Sequence, residues 1–300
     1  MKKSYRITLC LAGSLIFIGV IIAIAAGILI VKNGGDISES YGFFVQNIFR
    51  EYEREENDME RTNQTIDLET GEIKRIVLTA NYGKVEFVKG DRFSYQVIGT
   101  DVNSSMFTHG VDQDTWRINI KNRSGFYFFG FGKDDHISKL IITVPSTEVL
   151  EEVTLNMNAG TVEVERLAAK KLKMEMGAGS LNAEELVGED SLTLSVSAGK
   201  CKVEHMIGAN PNIRCEAGQI DANGVLTGTG KIKCGVGQID IDLVGDMKDY
   251  DYDVTCSIGT IRVNGNQVGG FATNSHKSTN AANMFDLDCA VGQIDLRIDQ

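Results

Sequence analysis

Proline is almost missing from this chain, with two residues in 300. That excludes proline-rich linkers and collagen-like repeats, and it leaves backbone N–H groups free to pair along uninterrupted strands. Tryptophan occurs once and histidine four times, and His109, His136, His205 and His276 show no metal-ligand spacing. Positive charge is also short. Lys2, Lys3, Arg6 and Lys32 stand in the first 32 residues without an acid, so residues 33–300 carry 26 basic against 41 acidic side chains. A surface of that sign repels phosphate backbones, which excludes a general nucleic-acid binder. Glycine, by contrast, is abundant at 32 residues, a level that long helices do not tolerate. With 42% hydrophobic and 24% charged residues, the chain has the apolar content to bury a core.

Ile7 to Val31 is an uncharged run of 25 residues. At ~1.5 Å per residue it is long enough to cross a hydrocarbon core of ~30 Å. A cleaved signal ending near Ala23 and Ala25 is the rival reading, but the apolar run continues through Gly27 to Val31, which favours a retained anchor. The cations ahead of the span make residues 1–6 a cytoplasmic tip and place the rest outside. The expectation is a single-pass cell-membrane protein with an N-terminal transmembrane helix over 7–31, which takes the lipid bilayer as a partner, and an extracytoplasmic C-terminal domain. Residues 32–69 read as a juxtamembrane helical stalk, with Phe44, Ile48 and Tyr52 at helical spacing before the charged run EYEREENDMER.

The remainder repeats itself. NYGKVEF, NAGTVEV, GAGSLNA, SAGKCKV, EAGQIDA, GVGQIDI, SIGTIRV and AVGQIDL align on Gly83, Gly160, Gly179, Gly199, Gly218, Gly237, Gly259 and Gly292. From Gly160 to Gly237 the intervals are 19, 20, 19 and 19 residues. Apolar side chains recur five and three positions before the glycine, and two and four after it, with polar residues between. Period-two alternation means strands with one buried face. Carried through, it also turns the residue just before the glycine inward. The parity then changes at the glycine, a bend that suits a residue with no Cβ and access to φ > 0. Each period is therefore one coil, and stacked coils give an all-β, single-stranded parallel β-solenoid of about 19–20 residues per coil. Stacked coils occupy 153–300, interrupted by a long Gly-, Asn- and Ser-rich loop at 265–284. Residues 70–152 hold one coil at Gly83 and a strand-rich cap, with FSYQVIG, TWRINIK and SKLIITV as its strands.

These AG-x-hydrophobic-x-hydrophobic repeats, the LIITVPSTEVLEEVTLNMNAG segment before them and the N-terminal anchor resemble the putative adhesin (β-solenoid) domain family of bacterial membrane-anchored cell-envelope proteins, over roughly residues 70–300. The resemblance implies a β-solenoid and a place in the envelope, where relatives sit in stress loci of Gram-positive bacteria. Some are proposed to sense antimicrobial peptides or to modulate a stress regulator. It implies no catalytic residues.

Among candidate sites, Cys215, Cys234, Cys256 and Cys289 share one inward position and read as a buried thiol column, because stacked Cβ atoms stay too far apart for a relaxed disulfide. Glu165, Glu184 and Glu204 form one outward acidic column and Asp221 and Asp240 another, and both read as solvated faces rather than calcium sites. Phe126, Tyr127, Phe128, Phe129 and Phe131, in GFYFFGFG at 125–132, are either an apolar plug over the stack end or a contact for membrane or partner. His276 lies between Ser275 and Ser278, but adjacency does not make a triad. No catalytic residue, cofactor site or metal site is expected. The expected function is an extracytoplasmic interaction module with a membrane-protein or envelope partner, in envelope-stress sensing, regulation or surface attachment. Its long side and an open C-terminal edge would supply the contact. A structural spacer or glycan-binding adhesin is the alternative. A polysaccharide-active enzyme fits less well, since coils this short leave no residues to wall a groove.

Overall fold

The computed structural model describes residues 64–67, 73–100, 102, 105–122 and 136–299, which belong to one compact unit, Glu56–Gln300. The span at 7–31, the cytoplasmic tip, most of the stalk and the aromatic stretch at 125–132 lie outside the described residues. Among the described residues no helix is long and apolar enough to cross a membrane.

What is described is all-β. β2 (Arg75–Gly90) and β7 (Leu150–Val164) run parallel, with Leu78 opposite Leu155, Gly83 opposite Gly160 and Val85 opposite Val162. β8 (Leu167–Ala209) continues the register through Met157 opposite Met176 and Gly160 opposite Gly179. It spans two periods before handing on to β9 (Asn212–Cys215) and β10 (Gln219–Thr227), then to β11 (Thr229–Cys234) and β12 (Gln238–Val244). Identical periods put identical apolar side chains over one another. Leu78, Leu155, Leu194, Ile213 and Ile232 are accordingly sealed from solvent.

The glycine column has a stricter cause than bending alone. Gly160 and Gly179 do adopt φ of 128° and 117°. Gly218, Gly237, Gly259 and Gly292 do not, yet a Cβ on any of them would lie 2.1–2.3 Å from the carbonyl oxygen of the adjacent coil's glycine. Expected φ > 0 thus holds in four coils, at Gly83, Gly160, Gly179 and Gly199, and close backbone approach holds at all the repeat glycines but Gly83.

The order of stacking departs from the order of sequence. β13 (Tyr250–Cys256) and β14 (Thr260–Val263) do not pack on β11 and β12. That place is taken by β17 (Asn283–Cys289) and β18 (Gln293–Asp299), which pair in parallel with β11 and β12 on one side and with β13 and β14 on the other. The open C-terminal edge expected from the sequence is therefore corrected, because the last coil is interior. The chain steps across two coil spacings between β12 and β13, roughly 9.6 Å rather than 4.8 Å, using a 3-10 turn at Met247–Asp249. Asn283 locks the returning strand, donating to Asp249 O at 3.0 Å and accepting from Gly228 N at 2.8 Å.

Both ends are closed by antiparallel strands. β5 (Thr115–Ile120) and β6 (His136–Pro145) run parallel to β2, with Ile76 opposite Trp116 and Val85 opposite Leu140. The 77-residue interval between Gly83 and Gly160 therefore holds another coil as well as a cap. The cap proper is β3 (Ser94–Thr100) on β6 and β4 (Phe107–Asp112) on β5. β1 (Gln64–Asp67), placed in the helical stalk by sequence, is a strand on β3. At the other end β15 (Asn266–Gly269) lies on β14 and β16 (Thr273–Lys277) on β13. The stretch 265–284 is a cap and not an open loop. A bare parallel edge would present unpaired N–H and C=O groups above exposed apolar columns, and an antiparallel strand satisfies that edge without continuing the stack.

Candidate functional site

Outward side chains form ladders, because parallel register repeats the outer face as it repeats the core. The position three after the glycine reads Glu86, Glu163, Asn182, Lys202, Asp221, Asp240, Asp295 and Arg262 in stacking order. At its first half lies a shallow depression of about 300 Å³ among Glu86, Glu163, Glu165, Glu184, Lys202 and Glu204. Its carboxylates are paired rather than vacant. Lys139 sits 2.7 Å from Glu86, and Lys84 reaches Glu86 at 3.1 Å and Glu163 at 3.2 Å. Burial opposes charge on Glu86, yet the two lysines win and hold its carboxyl below the usual range. Glu165 accepts from Lys89 N at 2.8 Å, and Glu204 pairs with Lys202 at 2.6 Å. Among the described residues no group of three or more His, Cys, Asp or Glu is arranged to hold a metal ion.

Farther along, intercalation of the last coil lengthens the aspartate ladder to Asp221, Asp240 and Asp295 and ends it on Arg262, 3.4 Å from Asp295. Gln238 donates to Asp240 at 2.7 Å, which offsets part of the repulsion. Burial first, then the neighbouring Asp295 and Asp221 charges, raise the Asp240 carboxyl above 3.8. A raised folded-state value makes its contribution to stability present below pH 3.8 and lost as pH rises through the folded value. Asp240→Asn is therefore expected to stabilise at pH 7 by ~0.5 kcal/mol, discounted for partial exposure, and to leave stability below pH 3.8 unchanged. Urea unfolding of both chains at pH 3 and pH 7 (approximate settings) checks it.

The expected thiol column forms in the order Cys215, Cys234, Cys289, Cys256, set by the same intercalation. All four are free and buried, as is Cys201. They interlock with the glycines: a Cβ on Gly237, Gly292 or Gly259 would meet the sulfur of Cys215, Cys234 or Cys289 at 2.8, 2.6 and 2.5 Å. Burial pushes the thiols of Cys201, Cys215 and Cys256 up, and the hydrogen bond with Cys289 together with burial raises Cys234. Native protein should leave these five unmodified by a thiol reagent that labels all of them in denaturant. Because the folded values of Cys201, Cys215 and Cys256 lie above the ordinary 9.0, their contribution to stability should fall as pH rises past that value.

His276 pairs through Nδ1 with Asp253 across the β16–β13 register. Ser275 Oγ donates to Val268 O at 3.2 Å rather than to the imidazole. His109 bonds the Tyr95 hydroxyl at 2.5 Å in an aromatic cap with Phe107 and Trp116, and burial lowers its imidazole below 6.5. Phe126, Tyr127, Phe128, Phe129 and Phe131 lie outside the described residues, but the base of their segment is clamped. Buried Asn122 donates to Tyr82 O and Ile137 O and accepts from Ile137 N, all within 2.9 Å.

Sequence reasoning missed one feature. The residue before each glycine does not turn inward. In stacking order this column reads Tyr82, Ala159, Ala178, Ala198, Ala217, Val236, Val291 and Ile258. The last three are exposed by 43%, 38% and 64%. The bend begins one residue earlier than alternation implies, so an apolar side chain is delivered to the outer corner.

Minimal coils, unbroken side-chain ladders and capped ends define a class of all-β repeat domain that offers surface rather than an enclosed chamber. The chain belongs to the Toastrack DUF4097 family, whose model matches residues 73–283. It is similar to a solved "putative cell adhesion protein" from Clostridium sporogenes, at 13% identity and a TM-score of 0.33, over 80% of this chain and 100% of that one. It is also similar to a "putative adhesin" from Bacteroides fragilis, at 16% identity and 0.30, over 78% and 97%. A "putative lipid binding protein" from Parabacteroides distasonis gives 13% identity and 0.35, over 78% and 96%. Likeness at these scores carries no argument about function. No curated protein matches.

Proposed function

We propose that this chain is a parallel β-solenoid held at the cell membrane by residues 7–31, and that it works outside the cytoplasm by binding, not catalysis. The observation that carries the reading is the shortness of the coils. Bends only a few residues long leave, among the described residues, a shallow, charge-paired depression of about 300 Å³, suited to another macromolecular surface rather than to enclosing a substrate. Its partner is a membrane protein or another envelope component, and its role is envelope-stress sensing, regulation or surface attachment.

Protease treatment of intact cells producing the full chain tests the topology. Digestion of residues 33–300 before lysis is the expected result, and digestion only after lysis would overturn it. Deleting the gene then separates the roles, since regulation alters a stress reporter whereas attachment alters adherence with the reporter unchanged. A catalytic role would instead appear as glycan depolymerisation by the purified chain.

A further inference from the structure

The exposed corner runs off the stack onto the cap. Cys256 stands opposite Thr273 and Ala272 N donates to Ser257 O at 2.8 Å, which brings the Gly270–Thr273 turn, closed by Thr273 N on Gly270 O at 3.2 Å, next to the Ile258 corner with Phe271 in that turn. Phe271 is 82% exposed. It is presented by Ala272 at φ 52°, a left-handed conformation that costs an alanine about 1 kcal/mol. Of seven exposed large hydrophobics among the described residues, three (Val236, Val291 and Ile258) lie on this corner and a fourth, Phe271, in the turn next to it. From Ala159 onward the corner side chains grow from alanine to valine and isoleucine toward this end.

Charge is depleted at the same end. Residues 254–275 carry one charged side chain, Arg262, in a chain of net charge −11, and Arg262 is spent on Asp295. Edge strands are commonly guarded by lysine. Here Lys277 of β16 turns back to donate to Met247 O at 3.0 Å and Tyr250 O at 2.6 Å, and His276 is held by Asp253. Pairing within the chain uses β15 on β14 and β16 on β13, leaving the far edges of this outermost layer facing away from the stack.

We infer that this end is a self-association surface whose occupant is a second copy of the same chain, related by a two-fold axis. Two chains this acidic repel one another across most of their surfaces, and the neutral end is where they approach without that penalty. Antiparallel pairing of an edge strand with its own copy is self-complementary, as a two-fold contact requires. Four apolar side chains and a strand edge fall short of the ~1,000 Å² of a stable interface. The contact is therefore weak in dilute solution and forms where copies are concentrated, as on the membrane of the proposed function. Salt strengthens it by screening like charges.

The test uses the full chain with Cys10→Ser, in membrane vesicles from producing cells, under a mild oxidant. Phe271→Cys and Ile258→Cys are expected to give disulfide-linked dimers, whereas a mid-stack control at exposed Lys173→Cys gives none. Adding Val291→Asp and Val236→Asp to Phe271→Cys should cut the dimer about tenfold. Raising salt from about 50 to about 500 mM should increase it. Continued protection of the five buried thiols shows in the same gels that each variant is folded. Monomer throughout, equal crosslinking at Lys173→Cys, or a dimer that weakens with salt would overturn the proposal. So would quenching of a fluorophore on the Phe271→Cys chain by spin-labelled lipid, which assigns the corner to a bilayer. Absence of the chain from vesicles counts only against membrane anchorage, and the same outcomes are then read in the soluble fraction.

Discussion

Gly179→Ala is expected to abolish cooperative folding, although it adds a single methyl group. The new Cβ would sit 1.9 Å from Gly160 O and 2.9 Å from Gly160 N and C, all of them backbone atoms, at φ 117°. No rotamer change can relieve a clash with backbone, so the two coils must part at the point where their register is set. Separating them breaks strand pairing and opens the apolar columns on both sides, a loss on the order of 4 kcal/mol or more. Gly110→Ala is the control. It meets nothing within 4 Å and has ordinary φ, so it should change stability by less than about 0.5 kcal/mol. Thermal unfolding of the two variants beside the parent decides the matter. A Gly179→Ala protein that melts within a few degrees of the parent would disprove the close-approach account.

A chain ended after Lys277 should lose more than its last coil. In a stack built in sequence order, removing the final coil bares one edge and leaves all earlier coils paired. Here removal of β17 and β18 leaves a gap between β11/β12 and β13/β14, which have no other described pairing to each other. It also removes Thr279 and Ala281, whose N–H groups bond the buried Asp251 carboxylate at 2.8–2.9 Å. The expected product keeps its earlier coils, with β13 to β16 detached and an aggregation-prone edge on β11 and β12. Thiol labelling reads this directly. Cys234 and Cys256 become reactive while Cys201 stays protected, because its neighbouring coils remain on both sides. Continued protection of Cys256 would show that the terminal coil holds its place without the intercalated one.

Much of this was legible in the repeat. Leu155, Met157, Val162 and Val164 could be assigned to one buried face because alternation around Gly160 recurs around the next glycine, and the recurrence fixes register. FSYQVIG, TWRINIK and SKLIITV were readable as strands from their own alternation, as in Leu140, Ile142 and Val144. Cap formation by 265–284 was not readable, because β15 and β16 are short and polar. Their pairing is set by the edges of β13 and β14 rather than by their own pattern. The outward corner escaped for a different cause. Strict alternation assumes a straight strand up to the glycine, and the chain already turns at Val236, Ile258 and Val291.

By itself the sequence determined the period, the buried columns, the family and the acidity, because each depends on spacing or composition. Tertiary structure decided the order in which the coils stack. Every coil presents nearly the same edge, so local pattern cannot say whether Cys234 will face Cys256 or Cys289. Only the step across Met247–Asp249, and the return of Asn283 beneath it, makes that choice.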